Sequence, residues 1–129
     1  NGDAAGAADF CKWVEDVLVD VINMTKEKME KYYDEHVTDT MCRNELYKKY
    51  YMDTIIEDTS AVAGLELIRR IVGMANVKDI TTIADEAKRA RAEKICITAA
   101  IDFIKNRSDK KCGKCFLKTL KDAIAEVDA

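Results

Sequence analysis

The chain has 129 residues, about the length of one ordinary domain, of which 48% are hydrophobic and 35% charged. This composition is too apolar for a disordered tail, and no uncharged run approaches the roughly 20 residues that a membrane-spanning helix needs. The net charge of −3 argues against a nucleic-acid-binding module, because such modules are strongly basic. Proline is absent, which favours helices without interruption.

The first predicted element is a helix that follows a flexible segment over residues 1–8. Its hydrophobic residues recur at the i, i+4, i+7 spacing of a single helical face. That face carries Phe10, Val14, Val17 and Val21, with Leu18 and Ile22 widening it. We expect the helix to run from Asp9 to about Asp34, to pack through this face, and to lead into a connection at residues 36–38.

A second helix is predicted to start near Asp39 or Thr40, because the Asp39 carboxylate can accept a hydrogen bond from an unpaired N–H of the first turn. One face of this helix is marked by Tyr47, Tyr51 and Ile55. Residues 58–60 offer a break, after which a third helix would end at Gly73. The third helix would pack through Val62, Leu65, Ile68 and Val72, with Leu67 and Ile71 alongside. A single long helix through both segments remains an alternative.

The remaining chain predicts two more helices that form an antiparallel hairpin. Asp79 is the expected N-cap of the first, and Ser108 or Asp109 that of the second. The packing face of the first helix carries Ile83, Ala87, Ala90, Ile97, Ile101 and Ile104. That of the second carries Phe116, Leu120, Ala123 and Val127. We therefore predict an all-α fold, a disulfide-linked bundle of four to five antiparallel helices in a single domain over residues 9–129.

Five cysteines in so short a chain favour an oxidised, secreted protein. Cys96 lies about nine residues before the turn of the predicted hairpin and Cys115 about seven after it, which favours a Cys96–Cys115 bridge. Cys112 would then pair with Cys11 if the chain reverses near residue 60, or with Cys42 if it does not. We favour Cys11–Cys112, which leaves Cys42 free to join a second copy as a homodimer.

Cys112 and Cys115 form a CxxC motif, for which functions other than structural disulfides must be considered. A thioredoxin-like redox pair needs a βαβ context, which the sequence does not predict. A c-type haem site needs a histidine after the second cysteine, where Phe116 stands, and a zinc site needs two more nearby ligands. Structural disulfides to other helices are the preferred interpretation.

The sequence does not indicate catalysis. His36 is the single histidine, which excludes a histidine-based metal cluster and a serine triad, and a dyad with Cys42 would have to cross a connection. No glycine-rich phosphate-binding loop is present, and paired carboxylates fall on charged helical faces. We therefore predict a protein without enzymatic activity, with no cofactor and no metal.

Two features predict a contact surface for a partner protein. Five tyrosines flank the first connection, and tyrosine is enriched at interface hot spots. Residues 105–121 contain seven basic residues and one acidic residue, a stretch suited to an acidic protein surface. The predicted partner-binding residues are Tyr32, Tyr33, Tyr47, Tyr50, Lys110, Lys111, Lys114 and Lys118. Two N-glycosylation sequons are present, at Asn23 and Asn106.

The arrangement of Phe10-Cys11, an isolated Cys42, Cys96 and the CxxC motif in a helical chain of this size resembles the albicin- and anophensin-like helical salivary proteins of anopheline mosquitoes. The resemblance implies a secreted, non-enzymatic inhibitor of a host defence cascade. Its partner would be a host plasma protein, most directly the convertase of the alternative complement pathway, with no nucleic acid and no membrane involved. The alternatives are a carrier of a small hydrophobic ligand between helices and an intracellular helical adaptor with reduced cysteines.

Overall fold

A computed structural model describes residues 4–74 and 77–129 of the chain, and these ranges contain five α-helices and no strand. The helices are α1 (Ala4–His36), α2 (Glu45–Val72), α3 (Lys78–Thr81), α4 (Glu86–Lys105) and α5 (Gly113–Asp128), with a 3₁₀ turn at Arg107–Asp109 between the last two. The predicted all-α class is confirmed. The disulfides expected to link the bundle are not formed in this structure, where all five cysteines are free thiols.

Helix α1 begins earlier than the hydrophobic pattern predicts. Residues 4–8, expected to belong to a flexible segment, are helical, and residues 1–3 lie outside the described residues. Four of these five positions are alanine, which has the highest intrinsic helix propensity, so they favour a helix although they carry no hydrophobic face.

Helix α2 is continuous through residues 58–60, so the predicted break is wrong and the single long helix is correct. The Thr59 hydroxyl donates to the backbone oxygen of Ile55 at 2.8 Å, so it is satisfied within the helix instead of capping a new one. Asn44 is the N-cap, with its side chain accepting hydrogen bonds from the N–H groups of Leu46 and Tyr47. Gly73 ends the helix as predicted.

The other predicted caps are displaced along the chain. Asp39 accepts hydrogen bonds from the N–H groups of Met41 and Cys42, and so stabilises the turn before α2 instead of the helix itself. Asp79 lies inside the short helix α3, and the N-cap of α4 is Asp85. Ser108 and Asp109 belong to the 3₁₀ turn, after which α5 begins behind Cys112.

Residue pairs from neighbouring helices show that the long helices pack antiparallel. Between α4 and α5, Asp102 meets Thr119 while Arg91 meets Asp128. Between α1 and α5, Asn23 meets Gly113 while Glu15 meets Lys121. Helix α4 also packs along α2, where the buried Ser60 hydroxyl donates to the backbone oxygen of Phe103 at 2.8 Å.

The core lies where α2, α4 and α5 meet. Its buried residues are Ile56, Ala99, Phe103, Phe116 and Ala123, with Leu18, Ile22, Leu67, Ile95 and Leu120 packed against them. Small residues let α2 approach α4 closely, since a Cβ atom at Gly64 would stand 2.7 Å from the backbone oxygen of Ala100.

The buried faces of α1 and α2 differ from the predicted ones. In α1 the expected face of Phe10, Val14, Val17 and Val21 is exposed, because α5 covers the adjacent face through Leu18 and Ile22. In α2 the expected Val62, Leu65 and Val72 are also exposed. The buried positions of α2 recur every four residues at Met52, Ile56, Ser60 and Gly64. Two of these four are not hydrophobic, so the hydrophobic pattern missed the face.

A polar network at Asp102 joins α4 to the start of α5. The Asp102 carboxylate accepts hydrogen bonds from Lys110 Nζ at 2.6 Å, Asn106 Nδ2 at 2.6 Å and Thr119 Oγ1 at 2.7 Å. Partial burial alone would raise the pKa of Asp102, but these hydrogen bonds outweigh it and lower the pKa from 3.8 to about 2. The ionised carboxylate is therefore the form that the fold stabilises.

This network predicts a loss of stability in acid. Because the pKa of Asp102 is lower in the folded chain than in the unfolded chain, its contribution is present above pH 4 and disappears as the pH falls from about 4 to about 2. Urea unfolding at pH 7, 4 and 3 measures it. We expect the difference in free energy of unfolding between the wild type and Asp102→Asn to become smaller over this window. The difference between the wild type and the control Asp79→Asn, at an exposed position, should stay the same across the three pH values. A pH-independent difference for Asp102→Asn would contradict the role given to this carboxylate.

Candidate functional site

A cleft lies between the end of α1 and the first turns of α2, and it is here called the tyrosine cleft. Its volume is about 710 Å³. The residues that line it are mainly aromatic and aliphatic, namely Thr25, Lys28, Met29, Tyr32, Tyr33, Val37, Cys42, Tyr47, Tyr51 and Met52. A surface of this kind suits an apolar or aromatic group.

Tyr33 is the fixed element of the tyrosine cleft. It is only 8% exposed, and its hydroxyl donates to the backbone oxygen of Cys42 at 2.7 Å, which ties α1 to the turn before α2. Its desolvated surroundings, and secondarily the neighbouring Cys42, raise the pKa of Tyr33. Lys48 of α2 also bonds to Asp34 of α1 at 2.5 Å, so the two walls are held together at their outer edge.

The other tyrosines predicted to bind a partner are more accessible. The Tyr32 ring stacks on His36 with centroids 4.0 Å apart, and Tyr47 stacks on Tyr51 at 6.3 Å. Tyr50 is exposed and lies outside the cleft lining. Four of the five tyrosines therefore line one cleft, and one of these, Tyr33, is buried in its wall and stabilises it.

The four predicted lysines do not form one contact surface. Lys110 is 7% exposed and bonded to Asp102, so it serves the polar network described above and is not available to a partner. Lys111 bonds to Glu57 of α2 at 2.6 Å, and Lys118 pairs with Asp122 within α5. Lys114 is exposed. Several lysines of the basic stretch thus form ion pairs with carboxylates of the same chain. A count of charges along the sequence does not reveal these pairs.

The cysteines do not adopt the predicted pairings. Neither Cys96–Cys115 nor Cys11–Cys112 is bonded, and the Cys112 Sγ atom lies 3.1 Å from that of Cys115. Cys11 is exposed on α1, and Cys42 lines the tyrosine cleft. Cys96 is half-buried on α4, and desolvation raises its pKa. The two predicted bridges remain hypotheses that disulfide mapping would test.

The exposed side of α1 forms a second distinctive surface, here called the α1 apolar face and defined by Phe10, Trp13, Val14, Val17, Val21 and Met24. Phe10 and Trp13 lie next to each other, with ring centroids 5.8 Å apart. Such a stripe of exposed apolar side chains along one helix is a candidate contact surface.

The described ranges show no grouping suited to metal binding and no helix suited to a membrane. Among residues 4–74 and 77–129, no three His, Cys, Asp or Glu side chains are grouped so that they could hold a metal ion. Within the same part of the chain, no helix combines the length and hydrophobicity needed to cross a bilayer. His36 is engaged with Tyr32, whose backbone oxygen lies 3.0 Å from its Nδ1 atom.

Comparison with known proteins finds similarity to methylthioribose kinases of rice and of bacteria. The chain is 27% identical over 124 residues to methylthioribose kinase 1 of Oryza sativa subsp. japonica, a match that covers 83% of this chain and 28% of the kinase. It is 29% identical over 90 residues to methylthioribose kinase of Bacillus pumilus, covering 70% of this chain and 23% of the kinase. It is 26% identical over 109 residues to the Escherichia coli enzyme, covering 77% and 26%.

The chain therefore spans about a quarter of the length of the curated relatives it matches. No protein-family profile matches the chain, and no solved structure matches it.

These matches overturn the function inferred from the cysteine pattern. The relatives are kinases of a plant and of bacteria, so the resemblance to mosquito salivary proteins is wrong, and with it the inhibition of a host cascade. The predictions of a secreted protein and of a protein without enzymatic activity are overturned on the same evidence, and so is the alternative of a hydrophobic-ligand carrier. The resemblance failed because it rested on chain length, helical character and cysteine spacing, which unrelated helical chains share.

Proposed function

We propose that this chain is a helical part of a methylthioribose kinase, an enzyme that transfers a phosphoryl group to methylthioribose. The observation that carries the proposal is the similarity over 70–83% of the chain to kinases of that one name in a plant and two bacteria. In these three matches the chain corresponds to 23–28% of the kinase, so the proposal concerns one part of a larger enzyme.

The chemistry of the chain fits a supporting role in such an enzyme. Phosphoryl transfer needs a loop that holds phosphates, carboxylates that hold Mg²⁺, and a group that orients the attacking hydroxyl. The sequence has no glycine-rich phosphate loop, and no metal-binding cluster occurs in the ranges that the structure describes. We assign the phosphate and metal chemistry to the remaining three-quarters of the kinase, and a scaffold role to this chain.

The α1 apolar face supports the proposed scaffold role of this chain. The core of this chain is complete without Phe10, Trp13 and Val17, whose side chains remain exposed. Covering such side chains would contribute about 25 cal/mol for each Å² of apolar surface removed from water. In the proposal, the rest of the kinase packs on this face and holds the helical part in place.

A chimera tests the proposal. The matching segment of the rice kinase 1 is replaced by this chain, and transfer of labelled phosphate from ATP to methylthioribose is measured. We expect methylthioribose to be phosphorylated, and ribose, which lacks the methylthio group, to be phosphorylated far less. A chimera that is helical by circular dichroism, cooperative in unfolding and unable to phosphorylate methylthioribose would contradict the proposal.

A matched pair of variants examines the α1 apolar face in the same chimera. Val17→Glu places a charge in the face, and Asp20→Ala removes one from an exposed position one turn away. We expect Val17→Glu to lower activity or thermal stability of the chimera and to leave the unfolding of the isolated chain nearly unchanged, because Val17 is exposed there. Asp20→Ala should change neither. Equal behaviour of the two variants would show that the face is not covered.

A further inference from the structure

We propose that Cys112 and Cys115 form a redox-active dithiol, which a small disulfide such as oxidised glutathione converts into an intramolecular disulfide at the start of α5. Their Sγ atoms are 3.1 Å apart, and both side chains are half-buried, so each is within reach of a small reagent. A disulfide needs the sulfurs at about 2.05 Å, so closure requires a movement of about 1 Å. Among the five cysteines, this is the pair whose sulfurs are in contact.

The surroundings of Cys115 favour the reactive thiolate. Partial burial by itself would raise its pKa, but the hydrogen bond from the Cys112 thiol and backbone hydrogen bonds at residues 111 and 112 outweigh burial, so the pKa of Cys115 is lowered. The ammonium group of Lys110 adds to this effect. Cys115 also lies in the first turn of α5, where the partial positive charge of the helix N-terminus stabilises a thiolate. Cys96 has the opposite character, since desolvation raises its pKa.

The reaction with oxidised glutathione proceeds by two exchanges. The Cys115 thiolate attacks one sulfur of the reagent, forms a mixed disulfide and releases one glutathione as its thiolate. The Cys112 thiol then loses its proton to solvent and attacks the Cys115 sulfur, which expels the second glutathione. The two cysteines are together oxidised by two electrons, and one oxidised glutathione is reduced to two molecules of the thiol.

Oxidation would act on the junction between α1 and α5. Gly113, between the two cysteines, is buried against α1, and its N–H donates to Asn23 Oδ1 at 2.9 Å. A Cβ atom at this position would stand 2.6 Å from the Cα atom of Val19, so the two backbones are in direct contact. The proposed disulfide closes a ring around this contact residue. The dithiol is thus a modification site placed where α1 docks.

The test uses the whole chain equilibrated with oxidised and reduced glutathione at several ratios. Remaining thiols are trapped with N-ethylmaleimide before digestion with trypsin, which cleaves after Lys114 and separates the two cysteines. We expect the peptide that contains Cys112 to be joined by a disulfide to the peptide that contains Cys115, with the mass of the pair reduced by two hydrogen atoms. The joined pair should disappear when the chain is treated with dithiothreitol.

Variants identify the order of the exchanges. In Cys112→Ser the second exchange cannot occur, so we expect Cys115 to retain one glutathione as a stable mixed disulfide. A chain with Cys11→Ser, Cys42→Ser and Cys96→Ser should form the same joined pair as the wild type. The proposal is overturned if the wild-type Cys112 and Cys115 are both alkylated under excess oxidised glutathione, if each carries its own glutathione, or if the bridges that form are Cys96–Cys115 and Cys11–Cys112.

Discussion

Replacing Phe103 by alanine is expected to lower the free energy of unfolding by about 3–5 kcal/mol, the range for a large aromatic side chain removed from a packed core. Phe103 is 4% exposed, and its ring centroid lies 5.4 Å from that of Phe116, which is 2% exposed. The two rings join α4 to α5 beside Ile56 of α2. The cavity left by Phe103→Ala would therefore weaken all three helices that form the core. Urea denaturation followed by circular dichroism measures the effect.

Phe10→Ala is the matched control. Phe10 is 62% exposed, so the isolated chain should lose less than about 0.5 kcal/mol when this ring is removed. Comparing Phe10→Ala with Phe103→Ala tests the structure against the hydrophobic pattern, because the pattern predicts that Phe10 lies on the packed face of α1 and the structure shows it exposed. A loss from Phe10→Ala as large as that from Phe103→Ala would show that the predicted face of α1 is buried after all.

Replacing Gly113 by alanine is expected to be the second most damaging change. The new Cβ atom would clash with the backbone of Val19, and a backbone neighbour cannot move aside as a flexible side chain can. Overpacking of a core typically costs about 1–3 kcal/mol, and we expect Gly113→Ala to lie at the upper end of that range. Thermal unfolding measures the loss, and hydrogen exchange along α1 should rise at the same time.

Lys114→Ala provides the control for that substitution. It lies next to Gly113 in the first turn of α5, but its side chain is exposed, so its removal should change stability by less than about 0.5 kcal/mol. If Gly113→Ala were equally silent, the close contact between α1 and α5 would be wrong.

Much of the helical architecture is predictable from the sequence because hydrophobic periodicity and the absence of proline leave few alternatives. The periodic face of α5 is a clear case, since Phe116 and Ala123 are buried as predicted. The face of α2 was missed because Ser60 and Gly64 occupy two of its four buried positions. A serine whose hydroxyl is satisfied by Phe103 and a glycine that admits a neighbouring backbone are core residues without being hydrophobic.

The face of α1 illustrates a different limit. Phe10, Val14, Val17 and Val21 are as hydrophobic as Leu18 and Ile22, so the sequence gives no means of ranking the two sides. The combined stripe is too wide for one neighbouring helix, and that width is the signal that could have indicated two separate contact surfaces. Which side meets α5 is decided by tertiary packing, including the passage of α1 over Gly113.

The candidate site was predictable in part. The clustering of tyrosines follows from their positions on either side of one connection, and the structure places four of them around the cleft. The burial of Lys110 was not predictable, since Lys110 lies in the connection after α4 and no sequence pattern joins it to its partner Asp102, eight residues earlier in α4. The cysteine positions do not predict their pairing, because CxxC spacing alone does not distinguish a structural bridge from a reactive thiol pair.

The antiparallel contact of α1 with α5 has a consequence for the order of folding. Asn23 and Gly113 are 90 residues apart, whereas the pairing of Arg91 with Asp128 spans 37. Contacts between distant parts of a chain carry a larger loop-closure cost and tend to form late. The α4–α5 hairpin should therefore assemble before α1 docks, and α1 should be the first helix to detach during partial unfolding. Such detachment would uncover Leu18, Ile22 and the start of α5 while the remaining helices stay associated.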